Sequence, residues 1–169
     1  MCGFIGVIHS GSGDVVPLLY DGLMALQHRG QDSAGIMTFD GRFHTKKGQG
    51  LVRDFIEPRH FERLRGDMGL AHVRYPTIGS NTEVDAQPFE VYYPYGIAMA
   101  HNGNVANYHR LLKEIRDDYG RHVNSSCDVE VILNVFAHKL ASMGALNEEA
   151  VCEAVRFVFE KVKGAYSCI

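Results

Sequence analysis

Met1-Cys2-Gly3-Phe4-Ile5-Gly6-Val7-Ile8 opens the chain, setting a thiol directly behind the initiator methionine at the mouth of an apolar run that reads as a buried strand. Loss of Met1 would leave Cys2 with a free α-amine. An α-amine ordinarily titrates near ~7.7–8.0 and a thiol near ~8.5. At neutral pH the amine can therefore take the thiol proton, directly or through a water, and one residue supplies both nucleophile and base. The same eight residues suit a small buried cysteine at a strand start equally well. Spacing within them does not separate the two readings, so the choice falls to later segments.

Composition narrows the field. With 169 residues, 46% of them apolar and 22% charged, the chain suits a single globular domain with a full core. A net charge of −3 gives no electrostatic case for nucleic acid, and Lys46-Lys47 and the basic residues of 59–65 read as solvated faces. Four cysteines lie far apart with no Cys-x-x-Cys pair and no secretory leader, which points to the cytoplasm. No apolar run has the ~18–20 residues that a membrane helix needs. The nine histidines form no His-Glu-x-x-His or other ligand spacing, so no metal is expected.

Outward from the first strand, Val16, Leu19, Leu23 and Leu26 recur at helical spacing, with Asp14 as N-cap and Pro17 in the first turn. The polar loop 27–33 follows. Residues 34–39 and 42–46 flank Asp40-Gly41 and predict a hairpin. Short helical pieces at 51–56 and 60–65 precede a strand at 68–74. Residues 75–88 lack periodicity and read as a lid over a binding site, anchored between Pro76 and Pro88, with a rigid proline-bounded surface loop as the alternative. A second hairpin is expected at 89–93 and 97–100, then helices at 108–119, 128–143 and 147–162, and a strand begun at 165–169. Val131, Ile132, Val135, Phe136 and Leu140 place the core on one face of the middle helix. This order favours helices packed on antiparallel sheets, an α+β fold.

Three segments carry chemistry. At a strand end, His101-Asn102-Gly103 can aim a side-chain amide and a backbone N–H at one oxyanion, though an Asn-Gly turn accounts for it as well. Arg74, where the 68–74 strand meets the long loop, has the forked shape that holds a carboxylate. Asp128 opens a helix after Asn124-Ser125-Ser126-Cys127, where it serves either as a cap or as the acceptor for a substrate ammonium.

Together these segments resemble the class II glutamine amidotransferases, the glutamine-hydrolysing branch of the N-terminal-nucleophile hydrolases. The likeness rests on Met1-Cys2-Gly3, Leu26-Gln27-His28-Arg29-Gly30-Gln31-Asp32-Ser33-Ala34-Gly35-Ile36, Arg74-Tyr75-Pro76-Thr77-Ile78-Gly79, Ala86-Gln87-Pro88-Phe89, His101-Asn102-Gly103-Asn104 and the helix start at Asp128. Arg-Tyr-Pro-Thr followed by Ala-Gln-Pro-Phe resembles the branch that forms phosphoribosylamine for purine biosynthesis, rather than the hexosamine-forming one.

The resemblance implies a four-layer αββα sandwich of two antiparallel sheets and a Cys2 nucleophile exposed by loss of Met1. It also implies an oxyanion hole from Asn102 and Gly103, Arg74 and Thr77 on the carboxylate of L-glutamine, Asp128 on its ammonium, and Arg29 supporting the nucleophile. Closure of the lid is expected when Arg74 and Thr77 engage that carboxylate. No cofactor is expected in this domain, with Mg2+ belonging only to a missing phosphoribosyltransferase domain that receives the ammonia. The full-length parent is expected to be a homo-oligomer. Cys127 and Val129 depart from the family by replacing hydroxyl residues around Asp128. No phosphoribosylpyrophosphate loop precedes Ile169, so residues 1–169 are read as an incomplete glutaminase domain. A catalytically silent glutamine-binding module, or a separate glutaminase subunit serving another synthase, remains the alternative.

Overall fold

The apolar run behind Cys2 forms β1 (Gly3–Ile8), and its hydrogen-bonded partner is far along the chain. It pairs antiparallel with β4 (Met68–Arg74), Gly3 opposite Val73 and Ile8 opposite Met68. The computed structural model describes residues 2–11, 13–75 and 83–169. Thr77 and the 76–82 part of the expected lid lie outside the described residues. By contact the chain divides into a first unit of Met1–Pro88, Met99–Asn102 and Cys168–Ile169, and a second of Phe89–Ala98 and Gly103–Ser167.

In the first unit, β2 (Ser33–Phe39) and β3 (Phe43–Gln49) form the hairpin around Asp40-Gly41, closed by Asp40 N–H donating to the Arg42 carbonyl at 3.3 Å. Strand β4 then inserts beside β2, giving the order β1-β4-β2-β3. Alternation along the strands sends Ile5, Val7, Ala34, Ile36, Ala71 and Val73 to one face. There they pack against α1 (Val16–Leu26) through Val16, Leu19 and Leu23, with Val52, Ile56 and Leu64 closing the core. Asp14 is not the N-cap of α1, a position held by Val15. Its Oδ1 accepts the Val16 N–H at 3.0 Å from one residue further out. The pieces expected at 51–56 and 60–65 are α2 (Val52–Phe55) and α3 (Pro58–Phe61), the second starting at Pro58 because proline suits a first helical position.

The reading of 75–88 as one open loop needs correction at its far end. Glu83–Asp85 form a 3-10 turn, and Asp85, Ala86 and Gln87 are buried. A backbone packed this way belongs to the core rather than to a lid.

The second unit is built around α5 (Asp128–Ser142). Val129, Val131, Ile132, Leu133, Val135, Ala137 and Leu140 are all buried, so the helix is covered on most sides and not on the single face expected. Phe136, expected in the core, is only partly buried. Beside it lie α4 (Tyr108–Asp117) and α6 (Glu148–Lys161), the latter capped by Asn147 Oδ1 accepting from Ala150 N–H at 2.8 Å. Strand β5 (Phe89–Val91) pairs with β6 (Ile97–Met99), and β7 (His101–Val105) with β8 (Gly164–Cys168). Asn107 holds the approach to β8, its Nδ2 donating to Lys161 O and its Oδ1 accepting from Lys163 N–H, both at 2.9 Å. No helix among the described residues is long and apolar enough to cross a membrane.

Candidate active site

Because Gly3 pairs with Val73, Cys2 stands at the end of the sheet beside Arg74. Cys2 is half-buried, and its thiol points at the Tyr75 carbonyl oxygen, 3.7 Å away. Two side chains converge on its backbone: Arg29 Nε donates to the Cys2 carbonyl at 3.1 Å and Asn102 Nδ2 donates to the same oxygen at 3.2 Å. Arg29 ends the 3-10 turn Gln27–Arg29 that follows α1. Gly30 then lets the chain lie against β4, since a Cβ there would stand 2.7 Å from the Arg74 backbone nitrogen. Asp32 N–H donates to Arg74 O at 3.1 Å, which ties the loop to the same strand end.

Arg74 is 3% exposed, at the close of β4, with Ser33 opposite it on β2. Arg29, Arg74, Asn102 and Cys2 thus gather at one end of the sheet in the first unit. One Asn102 N–H, expected on an oxyanion, is spent on the Cys2 carbonyl; an amide nitrogen carries two.

Gly103 and Asp128 belong to the second unit. Gly103 has φ +153°, and a Cβ on it would lie 2.3 Å from Ala165 O, so the β7–β8 pairing requires glycine there. Asp128 opens α5 and uses Oδ2 to accept the Val105 N–H at 3.1 Å. Its neighbours explain the departure from the family pattern: Cys127 and Val129 are buried, at 4% and 0% exposure, so apolar side chains there fill the core.

Sequence reasoning missed what Glu130 does. It is buried, and its carboxylate accepts the Asn124 and Ser125 N–H groups at 2.8 Å each. That shapes the loop before Asp128. An acid four residues after the Asn124-Ser125-Ser126 run was the available signal.

His72 was missed as well. Its Nε2 donates to the His101 carbonyl at 3.1 Å, and Nδ1 has no partner among the described residues. Burial pushes the ring down to about 3, opposed by that backbone bond and reinforced by His101 and Arg74 nearby. An unfolded histidine titrates near ~6.5, so as pH falls the unfolded chain takes this proton first. The stability conferred is complete above ~6.5 and is lost progressively as pH falls toward about 3. His72→Gln, which keeps an N–H donor, should flatten the pH dependence of unfolding free energy between pH ~6.5 and ~4 by up to about 1.4 kcal/mol per pH unit. Denaturant titrations across that range check it, and an unaltered slope would refute the buried neutral ring.

Comparison with known proteins places this arrangement in a class. A family model described as glutamine amidotransferase domain matches residues 60–146, and the chain belongs to that family. Amidophosphoribosyltransferases of Pseudomonas aeruginosa and Escherichia coli are 49% and 44% identical to it, and that of Saccharomyces cerevisiae 42%, each match covering 100% of this chain. The chain spans 34% of the length of these curated relatives, about a third. Among solved structures it is similar to glutamine phosphoribosylpyrophosphate amidotransferase from B. subtilis complexed with ADP and GMP. That match has a TM-score of 0.77 and 29% identity, over 99% of this chain and 34% of that one. A structure described as the allosteric regulatory enzyme of purine biosynthesis gives 0.78 and 30% over the same shares. These matches bear out the α+β, N-terminal-nucleophile-hydrolase class expected from the sequence, and the likeness to amidophosphoribosyltransferases over the chain's own length.

Proposed function

We propose that the chain is the glutaminase part of an amidophosphoribosyltransferase, hydrolysing the side-chain amide of L-glutamine through Cys2. One arrangement carries this reading: Cys2, with its carbonyl held by Arg29 and Asn102, directs its thiol at the strand end that bears the buried Arg74. With Met1 removed, the α-amine takes the thiol proton and the sulfur attacks the amide carbon. The second N–H of Asn102 and the N–H of Gly103 receive the oxyanion. The amine returns its proton to the leaving nitrogen, which departs as ammonia. Water then attacks the γ-glutamyl thioester, giving glutamate and restoring the thiol. Arg74 grips the α-carboxylate and Asp128 the α-ammonium. All of these groups are the chain's own, so this step asks for no cofactor.

The ammonia goes to a phosphoribosyl acceptor held by a phosphoribosyltransferase domain, which is the partner that the relatives' names imply. Cys2, Cys127, Cys152 and Cys168 form no disulfide among the described residues, which suits a reducing cytoplasm.

The test is labelling with a glutamine-like diazo-ketone, read by intact mass and peptide mapping. A single adduct on Cys2, together with glutamate release from glutamine, is expected. Adducts elsewhere, or none on protein lacking Met1, would overturn the reading. Arg74→Lys should weaken glutamine binding by more than about tenfold, because an ammonium cannot reproduce the paired bonds of a guanidinium. Iodoacetamide, which has no α-carboxylate to hold, should alkylate Cys2 in that variant at the unaltered rate.

A further inference from the structure

Gln87 has no task in the chemistry above, yet its side chain is 3% exposed and pairs with both polar groups of one backbone residue. Its Oε1 accepts the His101 N–H at 2.7 Å and its Nε2 donates to the His101 carbonyl at 3.2 Å. Strand alternation explains the direction. Ala100 exchanges both of its hydrogen bonds with Ile169, at 2.9 Å each, so the N–H and C=O of His101 face the opposite side. There the Gln87 amide meets them as a neighbouring strand would. His72 adds a second donor to the same carbonyl, and a ring nitrogen bonded to a carbonyl must carry the proton. The residue so held immediately precedes Asn102, whose Nδ2 lies against the Cys2 carbonyl.

We propose that Gln87 is a positioning residue of the glutaminase site: its amide, paired with both backbone groups of His101, sets the strand start that carries Asn102 and so the place of the amide donor beside Cys2. This rests on the reading that Asn102 serves the oxyanion. Gln87 itself touches no reacting atom. A donor displaced by about 1 Å forfeits much of its effect, since preorganised donors act over short range.

Gln87→Met keeps the length and removes both bonds. Its backbone stays seated, since Gly35 packs so close that a Cβ there would stand 2.3 Å from the Gln87 carbonyl oxygen. Glutamate release should show kcat lower by at least about tenfold with KM within about threefold, the split expected when a transition-state interaction is lost. Iodoacetamide labelling of Cys2 should be unaffected. In an Asn102→Ala background the same change should cost less than about twofold more, because the two act through one donor. Gln87→Glu, which keeps the acceptor for the His101 N–H and loses the donor when ionised, should fall between and carries the comparison if Gln87→Met does not fold. An undiminished kcat, or a full multiplicative loss in the Asn102→Ala background, would overturn the proposal. Should the parent protein release no glutamate, the glutaminase reading itself fails. The NMR resonance of the Asn102 side-chain amide and exchange of the His101 N–H then decide the positioning role separately. A moved resonance with faster exchange supports it, and an unmoved resonance overturns it.

Discussion

Cys2→Ala will lower glutamate release by at least about a thousand-fold, because the thioester cannot form and the remaining groups only bind and polarise the substrate. The structure makes this variant a clean test. Among the described residues the Cys2 side chain makes one long hydrogen bond, 3.7 Å to the Tyr75 carbonyl, while its structural ties run through its backbone oxygen to Arg29 and Asn102. Alanine leaves that oxygen in place, and a half-buried thiol contributes little packing. Stability should therefore change by no more than about 1 kcal/mol. Glutamine should still bind, measurable by calorimetry, since Arg74 and Asp128 are untouched. Retained turnover in Cys2→Ala would remove the nucleophile from the mechanism. A large drop in thermal midpoint would show that Cys2 is mainly a packing residue, the other reading of the opening stretch.

Gly103→Ala is expected to damage both stability and activity. At φ +153° an L-residue is strained, and the added Cβ would stand 2.3 Å from Ala165 O and 2.4 Å from the Tyr166 Cα. Both obstacles are backbone, held in the β7–β8 pair, and the Asn107 bonds to Lys161 and Lys163 restrict the approach to β8. Strain and overpacking together should cost about 3 kcal/mol, a fall of roughly 6–12 °C in thermal midpoint for a chain of this size. Glutamate release by the fraction still folded should drop at least about a hundredfold, the usual cost of disturbing an oxyanion donor. Calorimetry and activity on the same sample separate the two effects. An unshifted midpoint would contradict the close strand approach, and a lowered midpoint with full specific activity would take Gly103 out of the oxyanion role.

What could be read from the residues was local. The strand behind Cys2, the amphipathic helix over Val16 to Leu26, the Asp40-Gly41 hairpin and the helix over 147–162 each follow from neighbours a few positions apart, whose periodicity and turn chemistry need no distant partner. The candidate residues Cys2, Arg74, Asn102 and Asp128 were named from side-chain chemistry and local position, and Arg29 from motif resemblance; neither implies proximity. Only the tertiary structure decided that β1 pairs with β4, that Arg29 and Asn102 converge on the Cys2 carbonyl, and that α5 is covered on most sides. It likewise gave Gln87, Glu130 and His72 their tasks, none of which their chain neighbours reveal. The physical reason is the same in each case. A buried amide, carboxylate or imidazole is defined by the backbone groups that face it, and strand register brings those groups together from positions tens of residues apart.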